Sequence, residues 1–507
     1  MFSRWSQMRK VSILACVGLV LTLSVNLLSA APKEVAPADV ESLRVVGNSN
    51  LPHKILVAAA LPGNLKFLRQ LLTIVDDIHR QDKLVPEDRF KVYVIPSWVD
   101  EKAELLQKAL SKDLWEKYVE VSPSATADDV WLQDVGEVAM VKIRGEKKPQ
   151  LAIFDSNRGE GLAELPGFLA NFWNCYYFKN PSLLQTGGDQ GGNIEITPDD
   201  ILVVGNRMSD SLREWFASRG YRDRMCVVES DWLVVGHCDE FLSFVPIDDP
   251  QDGYAIVKAN PRLALRLLAD ATKEELARVK PPEYGRRCLE IHEYLTRLQE
   301  RAKLAGETDN RKSLTPFAQS LLDYLKRVDP VSGEVTGDEK HLITRRVGPS
   351  VRAEGATLGD SRDEDIEAFI KNNLALANLI DSNIAKVEAT VNKIRGRSPK
   401  TAMKVLSYPM LFDVLGRSKR MPGKPATHIS LFPGVVNQLV LRKHLVTPDP
   451  LIASFRKQIQ TVTRQQGLRV HFIDGLYYHR LRGDVHCATN VLRLPNRYIV
   501  IPPGLPR

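Results

Sequence analysis

Residues 231–246 read Asp231-Trp-Leu-Val-Val-Gly-His-Cys-Asp-Glu-Phe-Leu-Ser-Phe-Val-Pro246, two apolar runs joined by a polar turn that opens on a glycine. Runs of this length, rich in Val, Phe and Trp and broken by a Gly turn, predict strands over 232–235 and 241–245. On an extended backbone side chains two apart share a side, so His237 and Asp239 face one cavity and Cys238 faces away from it. An imidazole and a carboxylate on one face are parts of an acid–base site. A structural reading stands beside it: His237 as a core histidine, Asp239 as a turn cap and Cys238 as a small buried hydrophobe.

Working outward, strands are predicted over 55–60, 92–95, 138–143, 151–154, 201–204 and 498–501, with helices over 65–78 and 211–219 between some of them. Strands and helices that alternate in this way make an α/β protein. From 261 to about 397 the pattern changes to long amphipathic segments at 284–303, 316–326 and 363–394, broken near 331–356 by a Gly- and charge-rich loop. This stretch reads as a helical elaboration, with a separate helical domain as the alternative.

The amino terminus carries Arg4, Arg9 and Lys10, then an apolar run over 11–28, then Ser29, Ala30 and Ala31. This is the pattern of a secretory signal peptide over 1–30, followed by a polar linker over 31–50, and it predicts a secreted protein without membrane contact after cleavage. A retained anchor is the weaker reading, because Ser24, Asn26 and Ser29 interrupt the apolar run. Removing residues 1–30 lowers the formal charge from +7 to +4, a mild balance that predicts no nucleic-acid partner. Cys175, Cys226, Cys238, Cys288 and Cys487 remain. An odd, sparse set in an exported chain is no disulfide framework and leaves at least one thiol unpaired.

Further short strings place polar residues at strand ends or tight loops: Trp131-Leu-Gln-Asp134, Gly191-Gly-Asn-Ile-Glu195 and Gly483-Asp-Val-His-Cys-Ala-Thr-Asn490. Cys487, with His486 alongside, is a candidate nucleophile if a nearby positive charge favours its thiolate. The chain has no CxxC or HExxH spacing, which argues against a metal-thiolate centre.

Taken in order, these strings resemble the signature of the protein-arginine deiminases, members of the guanidino-group-modifying (pentein) superfamily. Trp131 to Asp134 is similar to the family's Trp-x-Gln-Asp, Phe154-Asp-Ser156 to its Phe-Asp-Ser, Gly192-Asn-Ile-Glu195 to its Gly-Asn-Leu-Glu, and 236–246 to its Gly-His-Val-Asp-Glu-Phe-Leu-Ser-Phe-Val-Pro. Leu431-Phe-Pro-Gly-Val-Val-Asn437 and Val485-His-Cys-Ala-Thr-Asn-Val491 extend the likeness, which runs from about Lys54 to the end of the chain. The resemblance implies a five-bladed, pseudo-symmetric α/β propeller forming one catalytic domain over 51–507, with the helical elaboration at about 261–397.

It also implies hydrolysis of peptidyl arginine to citrulline and ammonia, with arginine-containing proteins or peptides as partners. A guanidinium is planar, cationic and a poor electrophile, so an enzyme must hold its donors and stabilise charge as a nucleophile attacks the carbon. By the resemblance Asp134 and Asp239 bracket that cation, Cys487 attacks it, and His237 protonates the leaving amine and then activates water. Trp131, Arg158 and Arg482 are the implied substrate contacts. The family's backbone-gripping arginine falls on Leu481, which leaves Arg482 beside it and Arg158 after the Phe-Asp-Ser loop. Calcium is the implied cofactor, at Gln133, Glu137 and Glu195 with carbonyls near Gly191 and Ile194. A second, weaker site at Asp155, Ser156 and Asn157 has Val135 where the family has an acid. A deiminase of a small guanidine (free arginine, agmatine or methylated arginine) and a catalytically silent binding relative are the competing expectations.

Overall fold

A computed structural model describes residues 32–96, 106–122, 126–159, 161–182, 186–307, 315–335, 363–414 and 427–494. The expected signal peptide and the strand expected over 498–501 lie outside them.

Among the described residues one unit recurs: two strands pair antiparallel, a helical crossover follows the second, and the chain returns as a third strand parallel to it. The unit is built by Gly136–Ile143, Gln150–Asp155 and Tyr176–Lys179 around the helix Leu165–Phe172. Ile194–Ile196, Leu202–Gly205 and Met225–Val228 repeat it around Asp210–Phe216. Leu439–Leu441, His444–Pro448 and Arg469–Ile473 repeat it around Ala453–Arg464. Leu242–Pro246, Tyr254–Asn260 and Val405–Pro409 form a further unit, whose crossover is the whole helical elaboration. The last unit joins the two ends of the chain: Thr489–Leu494 pairs antiparallel with Leu51–Ala59, and Leu65–Gln81 leads to the parallel strand Lys91–Pro96. The fold is mixed α/β.

Local chemistry explains the elements. Leu65–Gln81 buries Leu68, Leu71, Leu72, Val75 and Ile78, a stripe at helical spacing, against Ile55, Val57, Val92 and Val94 of its sheet. Every residue of Tyr254–Asn260 is buried, as expected of a strand covered on both faces. The helix Asp363–Ile394 spans two cores. Leu376, Ile380, Ile384, Val387 and Val391 pack with Tyr254 and Ile256 of the sheet, while Ile366, Phe369, Ile370 and Leu374 pack with Leu295, Leu321 and Leu325 of the other inserted helices. Among the described residues no helix is long and apolar enough to cross a membrane.

Three expectations need correction. Residues 232–235 are not a strand: the chain bends there, with one bridge from Leu233 to His428, and Gly236 at φ +86° turns it toward the site. The 31–50 linker is largely structure. Lys33–Glu34 and Val40–Val45 join the edges of the first sheet, and the alternation of Val40, Leu43 and Val45 is buried. The helix expected over 211–219 ends at Phe216 and gives way to a wider turn in which Gly220 has φ +114°.

Lys258 lies on the central strand of the unit with the helical crossover and is 3% exposed. Its Nζ contacts Asp381 at 2.7 Å and Glu334 at 2.9 Å, and Asp381 also accepts from buried Arg262. Removing one partner of a buried ion pair leaves an uncompensated charge. Asp381→Ala should therefore lose about 3–5 kcal/mol of stability in urea denaturation; a loss below about 1 kcal/mol would show that the pair is not holding the helix to the sheet.

Candidate active site

Each unit's first strand is preceded by a turn, and the turns carry the polar strings: Leu132–Val135, Gly191–Asn193, Cys238–Glu240, the segment ending at Asn437, and His486 with Cys487. Hydrogen bonds pass from each turn to the next. Gln133 N donates to the Cys487 carbonyl at 3.2 Å, and Gly192 N to Asp134 Oδ1 at 3.1 Å. Cys238 N donates to Asn193 Oδ1 at 3.1 Å, and Asn437 Nδ2 to the Asp239 carbonyl at 3.4 Å. His486 N reaches the Asn437 carbonyl at 3.2 Å, which closes the circuit.

Asp134, His237, Asp239 and Cys487 are thereby brought together and buried. The Cys487 thiol lies 3.6 Å from Asp239 Oδ2, which also accepts from His486 Nδ1 at 2.8 Å. Asp239 Oδ1 is buried without a partner among the described residues. His237 Nδ1 is 3.8 Å from Asp134 Oδ1, while its Nε2 donates to the Gly187 carbonyl at 2.8 Å. The extended backbone expected at 237–239 holds only at His237. Glu240 accepts from the amides of Gly236 and His237 and starts a tight helical turn at Cys238. Cys238 is buried in the core, as a small hydrophobe.

Burial pushes the Cys487 thiol well above the ordinary thiol range, and the neighbouring Asp239 and Asp134 push it further. Burial likewise raises Asp134, against the opposing pull of His237 and Arg158. Glu240 is pushed up to about 8 by burial and by Asp239. Burial alone would lower His486, but its hydrogen bond to Asp239 and the charges of Asp239 and Glu195 hold it above its usual value. So many buried acids make an interior that favours a cation.

Of the expected substrate contacts, Trp131 stands over the loop that leads to Cys487: a Cβ on Gly483 would meet its ring at 2.4 Å. Arg158 turns inward, with Nε on Asp129 Oδ2 at 2.7 Å and Nη1 on Asp134 Oδ2 at 2.7 Å and Gln190 Oε1 at 2.9 Å. Arg482 is exposed, in the left-handed region at φ +76°.

Gln133, Glu137, Ile194 and Glu195 line a space of about 30 Å³ together with His486, Asn490 and Arg493. Gln133 Nε2 donates to Glu137 Oε1 at 2.8 Å, and a Cβ on Gly191 would meet Glu137 Oε1 at 2.9 Å. Burial holds Glu137 well above the carboxylate range, helped by Glu195, and lifts Glu195 to about 7. Two crowded carboxylates and an amide are hard oxygen donors whose ionisation a cation would relieve, so these residues fit calcium. Buried Arg493 supplies the positive charge there, itself drawn down to about 10 by burial. Among the described residues no group of three or more His, Cys, Asp or Glu is disposed to hold a metal, so amide and backbone oxygens must complete the set. Asp155, Ser156 and Asn157 lie apart from these residues, in a loop held by hydrogen bonds of its own. Asp155 Oδ1 is taken by the Asn157 amide at 2.7 Å, the Ser156 hydroxyl donates to the Asp134 carbonyl, and Asn157 Nδ2 donates to the Asn180 carbonyl.

Sequence reasoning missed Asn437 as a site residue. Its Nδ2 donates to the Cys487 sulfur at 3.2 Å and its Oδ1 accepts from the Cys487 amide at 3.1 Å, so one side chain fixes Cys487 at two atoms. Asn193 and Asn490 were missed too. Asn193 joins Gly188, Gly205 and Cys238, and Asn490 holds the carbonyls of Leu132 and Gly136. The available signal was an Asn at 193, 437 and 490 close to the start of a strand.

The family model for protein-arginine deiminase matches residues 190–299 and 354–498. The chain belongs to the protein-arginine deiminase family. Among curated relatives, protein-arginine deiminase type-4 of Mus musculus is 25% identical over 396 residues, covering 73% of this chain and 47% of the relative. Protein-arginine deiminase type-1 of Mus musculus is 26% identical over 506 residues, covering 94% and 59%. The chain thus spans about half the length of the curated deiminases it matches. Among solved structures, a C. jejuni agmatine deiminase aligns with a TM-score of 0.45 at 10% identity, covering 89% of this chain and 96% of that one.

Gly192 separates the histidine from the second acid of this deiminase-family site. A Cβ there would stand 2.4 Å from His237 Nδ1 and 3.2 Å from Asp239 Oδ2. Gly192→Ala should displace the imidazole and, on the function proposed below, cut citrulline formation from an arginine ester by at least about 100-fold, since misplacing a catalytic group by an ångström has that effect. Steady-state kinetics beside a melting curve checks this; activity within threefold of wild type at an unchanged midpoint would contradict the placement.

Proposed function

We propose that the chain hydrolyses the guanidino group of peptidyl arginine to citrulline and ammonia through a covalent thiouronium on Cys487. The observation that carries this reading is a buried thiol 3.6 Å from a carboxylate whose other oxygen has no partner among the described residues. A peptidase or glutaminase would gain little from acids there and would need amides aimed at an oxyanion. A cationic substrate is what two buried acids select, and its charge offsets the cost of their burial. The recurrence of the strand–strand–helix–strand unit and the circuit of turns support the five-bladed propeller as part of the same proposal.

In this mechanism Cys487 stays a thiol until a cation binds, because burial and both aspartates oppose the thiolate. A guanidinium bracketed by Asp134 and Asp239 offsets those charges and favours transfer of the thiol proton to His237 Nδ1 as the sulfur attacks the central carbon. Since His237 Nε2 is committed to the Gly187 carbonyl, Nδ1 is the atom that passes a proton to the departing ammonia and later takes one from water. Asn437 holds the sulfur in line throughout. Calcium held by Gln133, Glu137 and Glu195 would supply a fixed positive charge behind the clamp, where the Gln133 amide already bonds the Cys487 carbonyl.

A small guanidine is the second reading, favoured by the inward turn of Arg158, which leaves that side chain engaged in the site rather than extended toward a peptide backbone. Citrulline or ureido formation from a benzoylarginine ester, free arginine and agmatine separates the two. Turnover of the ester at least about tenfold above both small guanidines supports the peptidyl reading, and the reverse order overturns it. Cys487→Ser should abolish turnover of all three while the protein stays folded, because an alcohol ionises far less readily than a thiol; substantial product would exclude Cys487 as nucleophile.

Calcium dependence is tested separately. Activity should vanish in excess chelator and return on adding calcium, and Glu195→Gln should raise the half-activating concentration at least about tenfold, the usual effect of losing a ligand or its support. Wild-type response in that variant would remove Glu195 from the ligand set.

A further inference from the structure

Of the four carboxylate oxygens that would bracket a substrate, three are already engaged. Asp134 Oδ1 accepts from the Gly192 amide at 3.1 Å, and Asp239 Oδ2 accepts from His486 and faces the thiol. Asp134 Oδ2 is held by Arg158 Nη1 at 2.7 Å. That last occupant belongs to the same chemical class as the substrate's reacting group. A guanidinium binds a carboxylate best through two parallel N–H bonds, so an incoming one competes for Asp134 Oδ2 with Arg158, which holds that oxygen with a charged bond while Oδ1 has only a neutral amide.

Arg158 is placed to move without being lost. Its Nε is anchored on Asp129 Oδ2 at 2.7 Å, and the other Asp129 oxygen accepts from the Trp131 amide at 3.1 Å. Asp129 therefore ties Arg158 to the turn that carries Asp134, and Nη1 can leave Oδ2 with the Asp129 bond kept. Gln190 Oε1, 2.9 Å from Nη1, is a neutral acceptor in the same reach.

We propose that Arg158 is a specificity-determining internal guanidinium: it occupies the Asp134 arm of the clamp in the empty site, and a substrate guanidinium binds by exchanging with it. This rests on the reading of Asp134 and Asp239 as the clamp. The exchange leaves the buried charge balanced at the start and adds one cation at the end, against the second aspartate. It selects planar, forked cations, because a point-like ammonium offers no paired N–H bonds with which to displace the resident fork. It also lowers apparent affinity by the fraction of sites in which Oδ2 is open. An arginine that instead gripped the substrate would act in the opposite direction, since removing it would weaken binding.

The test needs no turnover. Cys487 is alkylated with 2-chloroacetamidine, a planar cation, and with neutral 2-chloroacetamide, each rate being read on the Cys487 peptide by mass spectrometry in wild type, Arg158→Gln and Arg158→Lys. The ratio of amidine to amide rates should rise about tenfold in Arg158→Gln, the factor expected when an arm open in about a tenth of molecules becomes always open. Arg158→Lys keeps the charge but not the fork, and should give a smaller rise in the same direction. An unchanged or lower ratio in both variants overturns the exchange. If Arg158→Gln fails to fold by circular dichroism, Arg158→Lys decides alone. The clamp reading is judged on a different variant: Asp239→Asn should lower the wild-type amidine preference, and if it does not, the clamp fails whatever Arg158 does.

Discussion

Five strand-leading turns are joined to one another by hydrogen bonds around Cys487 and two aspartates, and a turn leaves backbone amides and carbonyls with no ladder to join. In a buried place each such group costs free energy unless it finds a partner. Here the partners come from the neighbouring turn: the Gly192 amide on Asp134, the Cys238 amide on Asn193, the Cys487 amide on Asn437, and the Gln133 amide on the Cys487 carbonyl. The site is therefore the means by which the turns satisfy each other. Asparagine suits this work because it offers donors and an acceptor without a charge, and Asn193, Asn437 and Asn490 each bridge two or more groups that no regular ladder serves.

The same geometry sets the electrostatics. Asp134, Glu137, Glu195, Asp239, Glu240 and Asp484 are gathered at the turns, against Arg158, His237, His486 and Arg493. Each buried ion carries a desolvation penalty of several kcal/mol, so this excess of acid is tolerable where some acids stay protonated or a cation arrives. Glu137 and Glu240 are displaced toward the protonated form mainly by burial. Asp134 is served by Arg158, whereas Asp239 Oδ1 has no partner among the described residues. On the proposed function, that oxygen beside the thiol is where the substrate's positive charge belongs, which would tie the packing of the turns to the choice of substrate.

The sequence was informative where a physical signal repeats over several turns of helix or a full-length strand. The segments expected over 316–326 and 363–394 became Pro316–Arg327 and Asp363–Ile394, because Thr315 caps the first and three acids open the second. Strands of three or four residues, such as Ile194–Ile196, Leu439–Leu441 and Met225–Val228, were partly or wholly missed, since so few positions cannot show an alternation. The candidate acids, histidine and thiol were legible as motifs, but their partners were not. Arg158 meets Asp134 across 24 residues and Asn437 meets Cys487 across 50, and no local period records such pairs. The reading of 237–239 as extended failed because Glu240, to which the sequence reading gave no role, takes two amides and winds the chain.

The helical insertion fits the same logic. Two parallel strands can be joined by a crossover of almost any length, because loop-closure entropy rises only slowly with length. Tyr254–Asn260 and Val405–Pro409 still pair in register across the insertion. The inserted helices also reach the nucleophile's neighbourhood. Tyr284 packs its ring 5.8 Å from His479, and Glu283 lies 3.8 Å from Arg480, on the short helix just ahead of the Cys487 loop. His479 in turn faces Asp484 at 3.8 Å, and Asp484 Oδ2 accepts the Gly434 amide at 2.8 Å in the segment that leads to Asn437. Asp484 thus joins the loop that carries the thiol to the segment whose asparagine fixes it. The crossover thus braces the side of the site that carries Cys487.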